Sequence, residues 1–96
     1  MKIFLDTINL DEIKKYNDIF NIAGITTNPN LARRFGMSDD IEMVEKIGDI
    51  IGKKKEIHVE GFGDNFDEII KNCQRIKKKC SKFNLVFKIP FSEEGV

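Results

Sequence analysis

The sequence has 96 residues, a length that suits one small domain. Its 16 Lys and Arg residues balance 16 Asp and Glu residues, so the formal net charge of zero gives no reason to expect nucleic acid or an anionic membrane as a partner. No run of about 20 apolar residues occurs, so we expect no membrane span.

The cysteines and the first residues indicate a cytoplasmic protein. Cys73 and Cys80 fall on one predicted helix, where seven residues separate them by about 10 Å, beyond the reach of a disulfide. We therefore expect two core or half-buried thiols, which suits a reducing compartment. The segment Met1–Asp6 is too short and too soon acidic for a signal peptide.

The first part of the chain predicts two strands joined by a helix. A short apolar strand covers Lys2–Asp6. Asn9 caps the helix that follows, and Glu12 completes a capping box three residues later. The second strand, Ala23–Thr27, is rich in β-branched residues, and a short helical piece is expected over Leu31–Phe35.

The alternation continues to the end of the chain. Ser38 caps a long helix that ends at Gly52, and the third strand is Glu56–Glu60. Asp64 caps the next helix, and Asn84–Ile89 is the fourth strand. The core sides of the two helices are expected at helical spacing, at Ile41, Val44, Ile47, Ile50 and Ile51 and at Phe66, Ile69, Ile70, Cys73 and Ile76.

The order β-α-β-α-β-α-β, with the start of a fourth helix at Ser92–Glu94, predicts parallel strands with crossover helices. No linker interrupts it, so we expect residues 1–96 to form one domain. In each strand the polar residue at the carboxyl end lies on the less aliphatic face. This favours a barrel over an open doubly wound sheet, which would be apolar on both faces.

The fourth strand carries a lysine among apolar residues. Val86 and Phe87 favour a buried, pleated backbone, and Pro90 ends the ladder because it has no N–H. Lys88 must reach water, pair with a carboxylate or lose its charge. A desolvated lysine has a lowered pKa and can attack a carbonyl as the free amine, giving a Schiff base. For the strand alone, a solvated or paired lysine is the commoner outcome.

Polar residues end all four strands. They are Asp6, Asn28, Glu60 and Lys88, and Thr26 shares a face with Asn28. Because the carboxyl ends of parallel strands meet at one edge, where α/β enzymes carry their chemistry, we expect these residues to converge. One acid can deprotonate a hydroxyl while a carbon–carbon bond breaks, and the other can move protons through a water. The structural alternative is a salt-bridge and hydrogen-bond cluster.

Other candidate sites are weaker. His58 is a candidate proton carrier, but a lone histidine is more often a packed core or inter-layer residue. No metal-ligand spacing occurs, so no metal is expected. The stretch Gly61–Gly63 matches no phosphate-binding fingerprint.

Four blocks carry a family resemblance: Phe4–Thr7, Gly24–Pro29, His58–Glu60 and Val86–Pro90, the last followed by Glu94–Gly95. They occur in order and with fitting spacing along the whole chain. Together they resemble the transaldolase family, and most of all its short branch, which includes the fructose-6-phosphate aldolases.

The resemblance implies a (β/α)8 TIM barrel and cofactor-free class I aldol chemistry of the pentose phosphate pathway type. Lys88 falls on the family's Schiff-base lysine, which takes a dihydroxyacetone unit from a ketose phosphate such as fructose 6-phosphate. Asp6 falls on the general acid/base, and Glu60 on the residue that works through a catalytic water. Thr26 and Asn28 fall on positions that hold the donor's hydroxyl groups. Glu60 favours transaldolase, since fructose-6-phosphate aldolases carry glutamine there.

The chain ends just after the fourth strand, whereas members of the family are more than twice as long. We therefore expect the first half of a barrel, without the family's phosphate-binding arginine and serine positions. Exposed edges of such a half barrel favour a homo-oligomer. Two alternatives stay open: a truncated half-barrel fragment without useful catalysis, and fructose-6-phosphate aldolase activity. The ordered blocks disfavour an unrelated α/β binding module.

Overall fold

Four strands alternate with three helices in the computed structural model, which describes residues 1–27 and 40–89. The predicted helical piece at Leu31–Phe35, the Ser38 cap and the helix start at Ser92–Glu94 lie outside the described residues. The elements are β1 (Phe4–Asp6), α1 (Leu10–Ile19), β2 (Gly24–Thr27), α2 (Asp40–Ile51), β3 (Glu56–Glu60), α3 (Phe66–Lys79) and β4 (Asn84–Lys88).

The strands form one sheet in the order β1-β2-β3-β4, and every neighbouring pair is parallel. A doubly wound sheet reverses its order at a switch point, but this sheet runs in chain order throughout. Right-handed crossovers between successive strands then put all the helices on one side. The predicted α/β class with parallel (β/α) units is confirmed, and the arrangement corresponds to the first four strands of a (β/α)8 barrel.

The core lies between the helices and one face of the sheet, which we call the outer face. Ile25, Ile57 and Val59 point to this side and are buried. They belong to the same apolar cluster as Val44 and Ile47 of α2. Burying one such aliphatic side chain contributes about 1.5–3 kcal/mol, so this layer holds the strands and helices together.

The opposite side, which we call the inner face, carries the polar strand ends. Its residues are Phe4, Asp6, Gly24, Thr26, Glu56, His58, Glu60, Asn84, Val86 and Lys88. Along β4 these inner residues are exposed, whereas Leu85 and Phe87 on the outer face are partly buried. Within the described ranges, no element covers the inner face.

The N-cap residues of α1 and α3 can be compared with those predicted from the sequence. Asn9 caps α1 as predicted, because its side chain accepts hydrogen bonds from the backbone N–H groups of Asp11 and Glu12. The prediction that Asp64 caps α3 is wrong. The cap is Asn65, whose backbone is extended and whose Oδ1 accepts the N–H of Glu68 at 2.9 Å.

The core stripes predicted for α2 and α3 are largely right, with one error and two omissions. Phe66 was expected in the core but is 42% exposed, because it is the first residue of α3, where the buried stripe has not yet begun. Met43 and Gly48 of α2 are buried although they were not predicted. Gly48 is required there, since a Cβ atom would collide with the ring of Phe83.

Both cysteines are buried and free. Burial raises the pKa of the Cys73 thiol above its usual value, so Cys73 packs as an apolar residue rather than a reactive thiolate. None of the described helices has the length and apolar content that crossing a membrane requires.

The Asn65 cap gives a direct test of the start of α3. Asn65→Ala is expected to lower the free energy of unfolding by about 1 kcal/mol, because it leaves an N–H group of the first turn without its partner. The neighbouring Asp64→Ala is the matched control and is expected to change it by less than about 0.5 kcal/mol. Urea denaturation measures both, and a larger loss for Asp64→Ala would contradict the assignment.

Candidate active site

The carboxyl ends of the four strands line a single cavity. In the sheet register Asp6 lies beside Thr26, and Thr26 lies beside His58. Two residues further along the strands, on the same face, Glu60 lies beside Lys88. The cavity has a volume of about 300 Å³ and is lined by Asp6, Thr26, Thr27, His58, Glu60 and Lys88.

Four of the five predicted site residues therefore line one cavity. They are Asp6, Thr26, Glu60 and Lys88. The fifth, Asn28, lies outside the described residues. The convergence follows from two regularities: parallel strands align their carboxyl ends, and side chains two residues apart share a face.

Thr26 orients the carboxylate of Asp6. Its Oγ1 donates a hydrogen bond to Asp6 Oδ1 at 3.0 Å and lies 3.5 Å from the carbonyl oxygen of Leu5. Asp6 itself is exposed, so the carboxylate remains accessible to a ligand while one of its oxygens is held. A carboxylate held in this way is suited to proton transfer from a ligand hydroxyl.

Lys88 lies at the end of β4 with its side chain open to solvent. Its side chain is exposed, as are those of Asn84 and Val86 on the same face. Of the three outcomes open to Lys88, the described residues show access to water, because none of them covers the inner face of β4. In that part of the chain no ion pair joins the Lys88 amine to a carboxylate within 4.0 Å, although Glu60 is its register neighbour.

His58 lies on the inner face, together with Asp6, Glu60 and Lys88. Its Nε2 lies 2.9 Å from Oε1 of Glu56, and both side chains are 30% exposed. Neither residue was predicted as part of the site. The alternation of Glu56, His58 and Glu60 along β3 is the pattern that puts all three on one face.

Phe4 contacts His58 across the intervening strand. Their ring centroids are 4.8 Å apart and the rings are tilted by 59°. Neighbouring strands lie about 4.8 Å apart, so β1 and β3 are about 10 Å apart with β2 between them. The two side chains reach towards each other, and their rings meet above β2. Gly24 lies on the intervening strand, where a Cβ atom would collide with the carbonyl oxygen of Glu56.

The groups in the cavity are those of acid–base and carbonyl chemistry. A primary amine, two carboxylates, a hydroxyl and an imidazole face the same space. Among the residues that the structure describes, no group of three or more His, Cys, Asp or Glu side chains has the arrangement of a metal site. The amine and the acids can form and break carbon–nitrogen bonds and move the accompanying protons.

The fold and this cavity place the chain among α/β proteins of the (β/α)-barrel type. The sequence profile of the family described as Transaldolase/Fructose-6-phosphate aldolase matches residues 3–96. The chain belongs to this family, and the resemblance carried by the four blocks is confirmed.

Relatives with both names are similar to the chain. A probable fructose-6-phosphate aldolase of Streptococcus pneumoniae is 34% identical over 96 residues, which cover 100% of the chain and 43% of that relative. A probable transaldolase of Clostridium kluyveri is 38% identical over 96 residues, covering 100% of the chain and 42% of the relative. For a probable transaldolase of Clostridioides difficile the identity is 36%, with coverage of 100% and 42%. The chain thus spans less than half the length of these relatives.

Proposed function

We propose that the chain carries class I aldol chemistry, with Lys88 as the amine that forms a Schiff base with a ketose. The observation that carries the proposal is the cavity of about 300 Å³ that is lined by Lys88 together with Asp6, Thr26 and Glu60. Membership of the transaldolase/fructose-6-phosphate aldolase family supports it, because the family name describes aldol chemistry on sugar phosphates.

The proposed reaction begins at the amine. The uncharged Nζ of Lys88 attacks the ketose carbonyl carbon, a carbon–nitrogen bond forms, and the carbinolamine loses its hydroxyl group as water. Glu60 moves protons through a water during this step. The result is a protonated imine, which withdraws electrons from the neighbouring carbon–carbon bond.

Asp6 then takes the proton from the donor hydroxyl. As that oxygen becomes a carbonyl, the carbon–carbon bond breaks and an aldehyde leaves. The electron pair of the broken bond remains on the lysine adduct, which becomes an enamine. An acceptor aldehyde can add to the enamine and receive the proton back, which forms a new imine on Lys88. Water then adds to the imine carbon and the carbon–nitrogen bond breaks, which releases the product ketose and the free amine and completes transfer of a dihydroxyacetone unit. Thr26 supports this role of Asp6, since its hydroxyl fixes one carboxylate oxygen. Asn28, the other proposed hydroxyl-binding residue, lies outside the described residues.

Transaldolase activity is favoured over fructose-6-phosphate aldolase activity by Glu60, which stands where the aldolase branch carries glutamine. Both kinds of relative match the whole chain at 34–38% identity, so overall similarity does not separate them. Among the described residues that line the cavity, Lys88 is the one cation. A phosphate group on the substrate would need a partner from elsewhere.

The exposure of Lys88 favours a second candidate, a half-barrel fragment without useful turnover. An amine attacks a carbonyl only when it is uncharged, and burial is what favours the uncharged form. The described residues leave Lys88 exposed. The two candidates differ in whether Lys88 reacts.

Covalent trapping tests the role of Lys88. The chain is incubated with dihydroxyacetone and then reduced with sodium borohydride, and the adduct is located by mass spectrometry of peptides. We expect one reduced adduct on Lys88 and none on the Lys88→Arg variant, which keeps the charge but not the nucleophile. Random labelling of the other lysines, or no labelling, would favour the inactive half barrel.

Cleavage of fructose 6-phosphate tests the role of Asp6. Asp6→Asn is expected to slow release of glyceraldehyde 3-phosphate by at least about 100-fold, as loss of a general base does. The same variant should still form the borohydride-trapped adduct on Lys88. A variant that cleaves at the wild-type rate would assign the base to another residue.

We further propose that the chain associates with a second copy through its sheet edges. Among the described strands, β1 and β4 each pair on one side only. Two copies in which each β4 lies beside the partner's β1 form a ring of eight parallel strands. Such a ring covers the exposed inner face of both copies, including Lys88.

Sedimentation of the 96-residue chain tests this association. The backbone of Lys88 faces β3, because its carbonyl oxygen accepts the N–H of Gly61. The N–H of the preceding Phe87 therefore points to the free edge. We expect a wild-type dimer, a monomeric Phe87→Pro variant, and a dimeric Phe87→Ala control that loses the ring but keeps the N–H. A folded wild-type monomer would rule out the association.

A further inference from the structure

The Glu56–His58 pair on the inner face is not used by the proposed reaction. His58 lines the same cavity as the amine and the two acids. It lies between Thr26 on β2 and Val86 on β4 in the sheet register. The imidazole is therefore close to the region where a ketose bound to Lys88 must lie.

Glu56 determines which ring nitrogen of His58 is available. Oε1 of Glu56 lies 2.9 Å from Nε2, and a carboxylate oxygen can only accept, so Nε2 is the protonated donor. In the neutral imidazole the lone pair is then on Nδ1, which can accept a hydrogen bond. No hydrogen bond to Nδ1 is formed within the described part of the chain.

The ring is also held in place by an apolar contact. Phe4 packs against it with the ring centroids 4.8 Å apart and the rings tilted by 59°. An imidazole held by a carboxylate at one nitrogen and by a tilted aromatic ring beside it is organised before any ligand binds. Preorganisation of this kind suits a group that recognises a ligand.

We propose that His58 is a substrate-binding residue, with Nδ1 accepting a hydrogen bond from a hydroxyl group of the ketose and Glu56 acting as its positioning residue. This inference rests on the proposed Schiff-base chemistry at Lys88. The charged groups around the imidazole are Asp6 on β1, Glu56 and Glu60 on β3, and Lys88 on β4. A hydroxyl-rich ketose suits this surrounding better than an apolar ligand, because each of these groups can exchange hydrogen bonds with hydroxyls.

Two substitutions separate a binding role of Nδ1 from a structural role of Nε2. His58→Gln places an amide where Nε2 lies, so it keeps a donor for Glu56 and loses the acceptor at Nδ1. His58→Asn places its amide where Nδ1 lies, so it keeps an acceptor there and loses the contact with Glu56. A binding role makes His58→Gln the more harmful change, whereas a structural role makes His58→Asn the more harmful one.

The measurement is the ligand concentration that gives half-maximal borohydride-trapped adduct on Lys88, with dihydroxyacetone and with acetone. Acetone forms the same kind of imine with a lysine but has no hydroxyl groups. We expect His58→Gln to raise the half-maximal concentration of dihydroxyacetone about five-fold, the loss of one hydrogen bond, and to leave that of acetone unchanged. His58→Asn should stay within about two-fold of wild type for both ligands.

The outcomes distinguish this inference from the function on which it rests. If the wild type forms no adduct with either ligand, the Schiff-base proposal fails and the inference with it. If both ligands react and His58→Gln weakens both equally, or neither, Nδ1 does not bind a hydroxyl and only the inference fails. Urea denaturation of both His58 variants checks that the sheet is intact. Glu56→Gln, which keeps an acceptor for Nε2–H, should retain half-maximal concentrations close to those of the wild type.

Discussion

Parallel pairing of the strands in chain order is the constraint from which the rest of the structure follows. Because β1 to β4 pair consecutively, each crossover returns on the same side, and the helices cover the outer face alone. Every carboxyl end then lies at one edge, and alternation sends every second side chain to the inner face. Asp6, Glu60 and Lys88, which are far apart in the sequence, consequently line one cavity.

Features that depend on neighbouring residues could be predicted from the sequence. The alternation of apolar and polar residues gave β3 its observed bounds, Glu56–Glu60, and identified the inner face of each strand. The start of α3 shows the limit of such patterns. Asp64 and Asn65 are both good capping residues, and only the backbone conformation, extended at Asn65, decides between them.

Features that depend on register or on distant packing could not be predicted. The contact of Phe4 with His58 across β2 requires the alignment of three strands. The burial of Gly48 requires the position of Phe83, on a different part of the chain. A lone histidine has no local partner pattern, so the sequence favours a packed core or inter-layer residue at His58, and Glu56 is recognised as its partner only when β3 is built.

The inner face of the sheet is open, and the reactivity proposed for Lys88 depends on what covers that face. Nearby carboxylates favour the ammonium form of an amine, and desolvation favours the uncharged form that attacks a carbonyl. In the described residues the carboxylates are present at the cavity, but a covering layer is not. An element that closes the inner face would therefore complete the sheet and also desolvate the amine. In the proposed dimer, assembly and reactivity would be consequences of one event, because the surface that the second copy would bury is the surface on which Lys88 lies.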